Sequence, residues 1–563
     1  MPNIQPTLED MVRSEFAKSS HKACCESAGP EETMLPMDDG VPLRTVVYRP
    51  DISGAVPVVV SRTCYPELDG AQRVRGEEYS RRGIAFVYQY CRGTGGSGGV
   101  WEPNVNERAD GKTSMDWICD QSWVNSAGYL GCSYLALTGW VIADILPPKV
   151  KTMYLTHYGV FRHTSAYKDG LFRHDVLTSW TMGNAGFPIG ADYLESCRYM
   201  PHIEVDEKLW GRRLDWYRQW ITGADRNSAY WETGFWKMLR DIPGKVKVPI
   251  YMGEGWYDHH LGSAIETYGA LPESVRDKST FLIGAWNHIF QPKLEGHAGA
   301  NFETGDDLRA MNWFYQILVE GKEPRGEIKT YIIGDDSWHT RKEYPIGSRA
   351  EHRLYITGKR VEGVYGLSPE KAEDSGVITY TYDPENPVMT HGADALLFTE
   401  KDQGSLLQPE PNHRRDVISC ISGVFGNEAT ILGAIASSLV VSTDVDDTAF
   451  IVKVMEVLPD GRTVNIRTGA TTLGYRNGSC ASISYEPGSK ARLSVTMWDI
   501  AWKIQKGSRL RVDITSSDFP QYSIHSNYAG CWSLQDKTRR AGQCIYFGPE
   551  DDSFISLPVL QNE

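Results

Sequence analysis

An α/β domain that carries a helical insertion and is followed by an antiparallel β domain is the fold class this sequence predicts. Three observations predict it. Short continuous apolar runs alternate with helical segments over the first half, as in a parallel sheet covered on both faces. A stretch dense in Trp, Tyr, Phe and Arg interrupts that alternation at about residues 160–245. Beyond about residue 350 the runs alternate apolar with polar and are spaced by turn signals, the texture of a sandwich or jelly roll.

In chain order, residues 1–30 read as an N-terminal extension with a short helix. In "MDDGVPLRTVVYRP", Asp38-Asp39-Gly40 marks a hairpin turn. The runs "VPVVVSRT", "GIAFVYQY" and "GYLG" read as buried parallel strands, with "NERADGKTSMDWICDQ" as a helix before the last of them. "VKTMYLTHYG", "VPIYMGEGW" and "STFLIGAWNH" read as later strands of the same sheet. The α/β domain is therefore placed at 31–159 and 246–350, with a helical cap at 160–245 that includes "DEKLWGRRLDWYRQWI". "NFETGDDLRAMNWFYQILVEGK" reads as a helix with Met311, Phe314, Tyr315 and Leu318 on one face and Gly321 ending it. Residues 351–563 form the β domain, from "RLYITG" and "ALLFTE" through "TAFIVKVMEVLPDGRTVNI", a hairpin, to "SRLRVDITSS".

Composition excludes some functions. The 563 residues carry 58 basic and 72 acidic side chains, a net charge of −14, which argues against nucleic acid or an anionic membrane as main partner. No apolar run approaches the roughly 18 residues of a membrane-spanning helix. The N-terminus "MPNIQPTLEDMVRSEF" is mixed and charged, unlike a signal peptide. The 11 cysteines have no C-x-x-C and no paired spacing, so neither a disulfide framework nor a zinc ribbon is expected. Reduced thiols and a cytoplasmic location are the expectation. No cofactor and no metal site are expected.

Chemistry enters with "AGYLGCSYLALTGW". Gly131-Cys132-Ser133 resembles a nucleophile elbow, G-x-S-x-G, except that Ala136 stands where the last glycine belongs. A serine at a helix start is by itself most often an N-cap. A nucleophilic serine needs a base, usually His, oriented by a carboxylate. In an α/β-hydrolase these come in the order Ser, acid, His, each just past a strand. Here Ser133 follows "AGYLGC", Asp258 follows "VPIYMGEGWY", and His288 follows "STFLIGAWN", 30 residues on. The ordered coincidence outweighs the separate bland readings of a cap, a loop acid and a structural His.

With "CRGTGGSGG", "PVVVSRTCYPELDG", "GEGWYDHH", "LIGAWNH" and "VTMWDIAWKIQKGSRLRVDITSSDFP", the chain resembles the cocaine esterase branch of the α/β-hydrolases. That branch is related to X-Pro dipeptidyl-peptidases and α-amino-acid ester hydrolases. The matching blocks run in family order from about residue 34 to past 520. The resemblance implies an α/β-hydrolase domain, a helical cap and a C-terminal jelly roll. It implies Ser133 as nucleophile, His288 as base and Asp258 as orienting carboxylate. The Tyr134 amide and the Tyr65 hydroxyl would form the oxyanion hole. It places Trp180 in an acyl pocket. Beneath the helical insert, "LFRHDVLTSWTMGNAGF" supplies Phe172 and Met182 as well, and Trp256, His259 and His260 are further candidate substrate-binding residues. It also implies a homo-oligomer, a dimer.

Departures narrow the reading. Tyr90 stands before Cys91-Arg92 where the family commonly has an acid. Asp258 is followed by His259-His260 rather than by the carboxylates that bind a substrate ammonium in amino-acid ester hydrolases. A free α-amino anchor and dipeptidyl-peptidase activity are thereby disfavoured. Aromatic walls favour an aromatic or bulky acyl ester, while Arg173 and His174 would admit an anionic group. The expected activity is hydrolysis of a small carboxylic ester, with amide cleavage, peptidase action or acyl transfer as alternatives on the same triad. A non-catalytic binding protein is a remoter reading. "GTGGSG" (93–98) satisfies G-x-G-x-x-G, but Pro103 and the lack of an immediate helix disfavour a dinucleotide site. Adjacent His259-His260 lack a second ligand cluster, and side chains of loop neighbours are expected to diverge.

Overall fold

The computed structural model describes residues 7–297, 305–344, 349–394 and 400–561. Its first half contains strands β1 (Ser27–Pro36), β2 (Pro42–Pro50), β3 (Val56–Thr63), β4 (Ala85–Tyr90), β5 (Val124–Cys132) and β6 (Val150–Thr156). A small hairpin follows, β7 (Tyr167–Lys168) and β8 (Leu171–Phe172). Then come β9 (Ile250–Tyr257), β10 (Thr280–Asn287), β11 (Glu327–Ile332) and β12 (Ser337–Arg341). Apart from the hairpin they form one ten-stranded sheet in the order β1-β2-β4-β3-β5-β6-β9-β10-β11-β12. From β4 to β11 every pairing is parallel; β1, β2 and β12 pair antiparallel at the two ends.

Every residue of β3, β4 and β10 is buried. Helices cover both faces of the sheet, which is why these strands are unbroken apolar runs rather than alternating ones. The chain steps one way from β3 to β4 and the other way from β3 to β5. That reversal makes a switch point, where ligand sites form beyond the carboxyl ends of parallel strands. Ser133, Asp258 and His288 each occupy the first position after such an end, of β5, β9 and β10.

The N-terminal helix Leu8–Ala17 buries Val12 and Phe16, and β1 begins at Ser27, inside the stretch read as an extension. The insertion is a set of short helices, including Arg162–Ala166, Leu177–Asn184, Asp215–Ile221 and Gly234–Arg240. The single helix read over "DEKLWGRRLDWYRQWI" is broken in two. Gly211 adopts φ +88, and the Asp206 carboxylate accepts the Leu214 N–H at 2.8 Å and pairs with Arg218 at 2.7 Å. That side chain competes with the helix for the backbone.

The helix Asp306–Phe314 loosens into a π turn, Tyr315–Val319, before Gly321 ends it at φ +64. The part of that run at 301–304 lies outside the described residues, as does most of the run "ALLFTE" (395–399). The C-terminal domain is an 11-stranded all-β unit. "LPDGRT" closes the hairpin Ala449–Val457/Thr463–Thr472. Among the described residues no helix is long and apolar enough to cross a membrane. All 11 cysteines are free of disulfides.

Candidate active site

Ser133 sits between β5 and the helix Tyr134–Trp140 at φ 58, ψ −125, a conformation unfavourable for a residue with a Cβ. Its amide donates to the Thr156 carbonyl of β6 at 2.9 Å, which ties the elbow to the neighbouring strand. Gly131 has no alternative, because a Cβ there would lie 2.1 Å from the Leu135 carbonyl oxygen. Ala136 is fully buried, so the methyl that replaces the elbow's last glycine is accommodated. The turn leaves the Tyr134 amide at the helix start with no backbone acceptor among the described residues.

The His288 Nε2 lies 2.9 Å from Ser133 Oγ, and its Nδ1 lies 2.8 Å from Asp258 Oδ2. The Asp258 Oδ1 accepts the His260 N–H at 2.6 Å. Asp258 is completely buried. Burial works against its ionisation, but the facing His288, His157 and His259 rings hold the carboxyl well below the usual range. His157, a residue sequence reasoning missed, braces this chain from behind. It sits at φ 52 at the end of β6, with Nδ1 2.7 Å from the His288 carbonyl oxygen and Nε2 3.1 Å from the Trp286 indole donor. Nδ1 therefore carries the proton. Burial pushes its pKa down to about 4, so the ring is neutral.

His157, Asp258 and His288 offer donor atoms within 4.8 Å of one another, the spacing of a metal site. The donor set does not fit one. The His157 Nδ1 lone pair is lost to its proton, and Asp258 Oδ2 and His288 Nδ1 are spent on each other.

A narrow cleft opens over Ser133. Trp180, His259 and His260 line it, together with Tyr134 and His288. The expectation that His259 and His260 diverge is overturned: their rings lie 4.4 Å apart and face the same cleft. Burial drives both pKa values well below the ordinary imidazole range, so both are neutral. Sequence reasoning missed Asn104, Leu137, Tyr158, Arg162, Val176, Trp220 and Trp236, which complete the wall.

Three residues assigned to substrate do not line this cleft. Phe172 ends β8 and stacks on Trp532 of the C-terminal domain at 5.1 Å, held by hydrogen bonds to Ser523. Met182 is two positions after Trp180 on the helix Leu177–Asn184 and so faces away from it, toward Tyr193, Cys197 and Phe519. Val176, four positions before Trp180, shares its face. Trp256 is buried within β9, its indole donating to the Tyr331 carbonyl at 2.7 Å. Arg173 and His174 are likewise elsewhere. Arg173 pairs with Asp175 at 2.8 Å and Asp394 at 3.4 Å, and His174 Nδ1 meets Thr178 at 2.8 Å.

Tyr65 follows β3. Its hydroxyl oxygen accepts the Trp180 indole N–H at 2.8 Å, and its ring lies 6.4 Å from that of Tyr134. Burial raises the phenol's pKa well above 10, which keeps it protonated. The Tyr134 hydroxyl is turned away, accepting the Asn104 N–H at 2.9 Å. The "GTGGSG" loop forms turns without a helix, and its Gly98 amide bonds the Pro42 carbonyl of β2. Beside it Arg92 pairs with Asp110 at 2.7 Å and with Asp39, so Tyr90 removes no needed partner.

A doubly wound sheet that carries Ser133, Asp258 and His288 at the carboxyl ends of β5, β9 and β10 on one edge, with β6 between the first two, is the α/β-hydrolase fold. The model of the X-Pro dipeptidyl-peptidase (S15 family) matches residues 39–290, and that of the X-Pro dipeptidyl-peptidase C-terminal non-catalytic domain matches residues 320–556. The cocaine esterase of Rhodococcus sp. (strain MB1 Bresler) is 26% identical over 94% of this chain and 98% of its own. An α-amino acid ester hydrolase structure superposes with a TM-score of 0.79 at 21% identity, covering 96% of this chain and 98% of that one. A CocE/NonD family hydrolase from Staphylococcus aureus gives 0.65 at 17%, covering 95% and 94%. The two family matches together take in most of the chain and place it with the S15 and PepX_C families, as a homologue of that cocaine esterase.

Proposed function

We propose that this protein hydrolyses a small carboxylic ester through an acyl-enzyme on Ser133. The observation that carries the reading is the unbroken chain Ser133 Oγ–His288–Asp258, at 2.9 and 2.8 Å. His288 Nε2 takes the serine proton as Oγ attacks the ester carbonyl. Negative charge then grows on the carbonyl oxygen. The Tyr134 amide and the Tyr65 hydroxyl are the donors for it, the phenol free to give its proton because its oxygen already receives one from Trp180. His288 returns the proton to the leaving alcohol. A water, deprotonated by the same nitrogen, releases the acid. Asp258 holds the imidazole in register and stabilises its charged form. The Trp180 and Trp220 faces of the cleft suit an aromatic or otherwise bulky group. The likeness to a protein named cocaine esterase supports an ester substrate.

The S15 match raises a second reading, cleavage of a peptide with a free amino terminus. Against it, no carboxylate lines the cleft among the described residues. A fluorophosphonate probe tests the assignment. Labelling is expected in the intact protein and lost in Ser133→Ala; labelling that persists in that variant removes Ser133 from the role. Parallel rates on a 4-nitrophenyl ester and the matching 4-nitroanilide separate esterase from amidase.

A further inference from the structure

Among the described residues six arginines are buried, and five of them have an acidic partner. Arg62 pairs with Glu107 at 3.2 Å, Arg82 with Glu78 at 2.5 Å, Arg173 with Asp175 at 2.8 Å, Arg467 with Asp394 at 2.8 Å and Arg511 with Asp513 at 2.7 Å. This is the ordinary rule, since a buried charge left without a partner is strongly destabilising. Arg162 is the exception. It is 9% exposed and lines the Ser133 cleft, with no carboxylate within ion-pair distance among the described residues. Its side-chain hydrogen-bond contact among the described residues is the His260 Nε2, 3.5 Å from Nη1, and its guanidinium lies 5.5 Å from the Trp220 ring. Neither offsets a full charge. His260 is neutral and engaged with Ser165 at 3.1 Å, and a cation–π contact returns only a small part of the cost of burying a charge.

We propose that Arg162 is an anion subsite of the cleft, and that the natural ester carries a carboxylate that pairs with it while Ser133 attacks. This deepens the proposed esterase function and rests on it. The placement is suitable. His260, which Arg162 touches, has its ring 5.9 Å from that of the base His288, so one short organic group spans from the guanidinium to the reacting carbonyl. The surroundings are consistent. A second cavity shares Arg162 and Trp236 with the cleft and is lined by Arg226, Arg240 and His163 as well. Its one acidic lining residue is Glu266, and Arg240 is paired with Glu232 at 2.8 Å. In a chain of net charge −14, this flank of the cleft is locally basic. Burial lowers the Arg162 pKa, yet an arginine stays protonated across the working pH range. The same cation repels the ammonium group that an aminopeptidase substrate would present.

The charge could sit on the acyl side or the alcohol side, so the test has two arms. The first compares mono-4-nitrophenyl terephthalate with 4-nitrophenyl 4-methylbenzoate. The second compares 4-acetoxybenzoate with 4-methylphenyl acetate. Each kcat/KM is divided by the hydroxide-catalysed rate of the same ester. The expected result is a preference for the carboxylated member of about 10- to 100-fold in at least one arm, the worth of one charge-assisted hydrogen bond. In Arg162→Gln that ratio falls at least tenfold, and Arg162→Lys retains part of it. A ratio at or below one in both arms of the intact protein overturns the subsite even if the variants do not fold. A preference that survives Arg162→Gln overturns it as well. Failure to cleave any of the four esters, with no fluorophosphonate labelling, instead overturns the esterase reading beneath it.

Discussion

Tyr65→Phe isolates one hydrogen bond in the proposed reaction. The variant keeps the ring in place and removes the hydroxyl, so shape and packing change little. In the ground state that hydroxyl's structural partner is the Trp180 indole, which donates to it at 2.8 Å. The proton it would give to the reacting oxygen matters only as charge develops there. Loss of one such donor costs about 3–4 kcal/mol, or about 10²–10³ in kcat. KM should move by no more than a few-fold, because the bond is made in the transition state and not with bound ester. The Trp180 N–H loses its acceptor, so stability should fall by about 1–3 kcal/mol as well. Steady-state rates on 4-nitrophenyl acetate and urea melts measure the two effects separately. Trp180→Phe provides the coupling test. If the indole acts by aiming the phenol, it costs activity alone but little more once the hydroxyl is gone, a non-additive cycle. A Tyr65→Phe kcat within about threefold of the parent, outside the range for a lost donor, would refute the oxyanion role.

Further outcomes are expected. Burial and the neighbouring Asp258 charge push the Glu254 carboxyl well above its usual range, so the folded protein keeps a proton that the unfolded chain releases above about pH 4.5. That group therefore drains stability as pH rises, and Glu254→Gln should gain in Tm relative to the parent between pH 5 and pH 8; a gap independent of pH counts against a neutral Glu254. Buried His157 and half-buried His163 have the opposite sign. Their pKa values are lowered to about 4 from 6.5, so below pH 6.5 the unfolded chain takes up protons the folded one refuses. Each drains up to about 1.4 kcal/mol per pH unit between those limits. Urea unfolding at pH 7 and pH 5 measures this, and His163→Gln should flatten the difference. Gly131→Ala places a methyl 2.1 Å from the Leu135 carbonyl and 2.6 Å from the Ala136 nitrogen, both backbone. The elbow must shift, and the expected result is a loss of more than about 3 kcal/mol in stability or of nearly all activity; wild-type kcat in that variant would mean the turn relaxes freely.

The parts of this molecule that could be read from sequence are those set by local pattern. A parallel sheet buried on both faces demands unbroken apolar runs, so "VPVVVSRT" and "STFLIGAWN" announce β3 and β10. Parallel strands also carry their carboxyl ends to one edge. Residues placed directly after three such runs therefore meet in space, as Ser133, Asp258 and His288 do at 2.9 and 2.8 Å. The cap lacks that logic. Its helices are short, and Asp206 and Gly211 break one of them through contacts no periodicity reveals. Which face of a short helix meets the cleft decides that Trp180 lines it and Met182 does not. Charge is harder still. In "GVFRHTSAYKDGLFRHD", Arg162 and Arg173 have the same local setting, each between Phe and His. The sequence places Asp175 two residues after Arg173; the fold adds Asp394 and leaves Arg162 without an acid. Burial has made His259 and His260 neutral, and no carboxylate lines the cleft among the described residues. Arg162 is therefore the fixed charge of the cleft wall, and in so small and enclosed a space its field reaches whatever group is bound there.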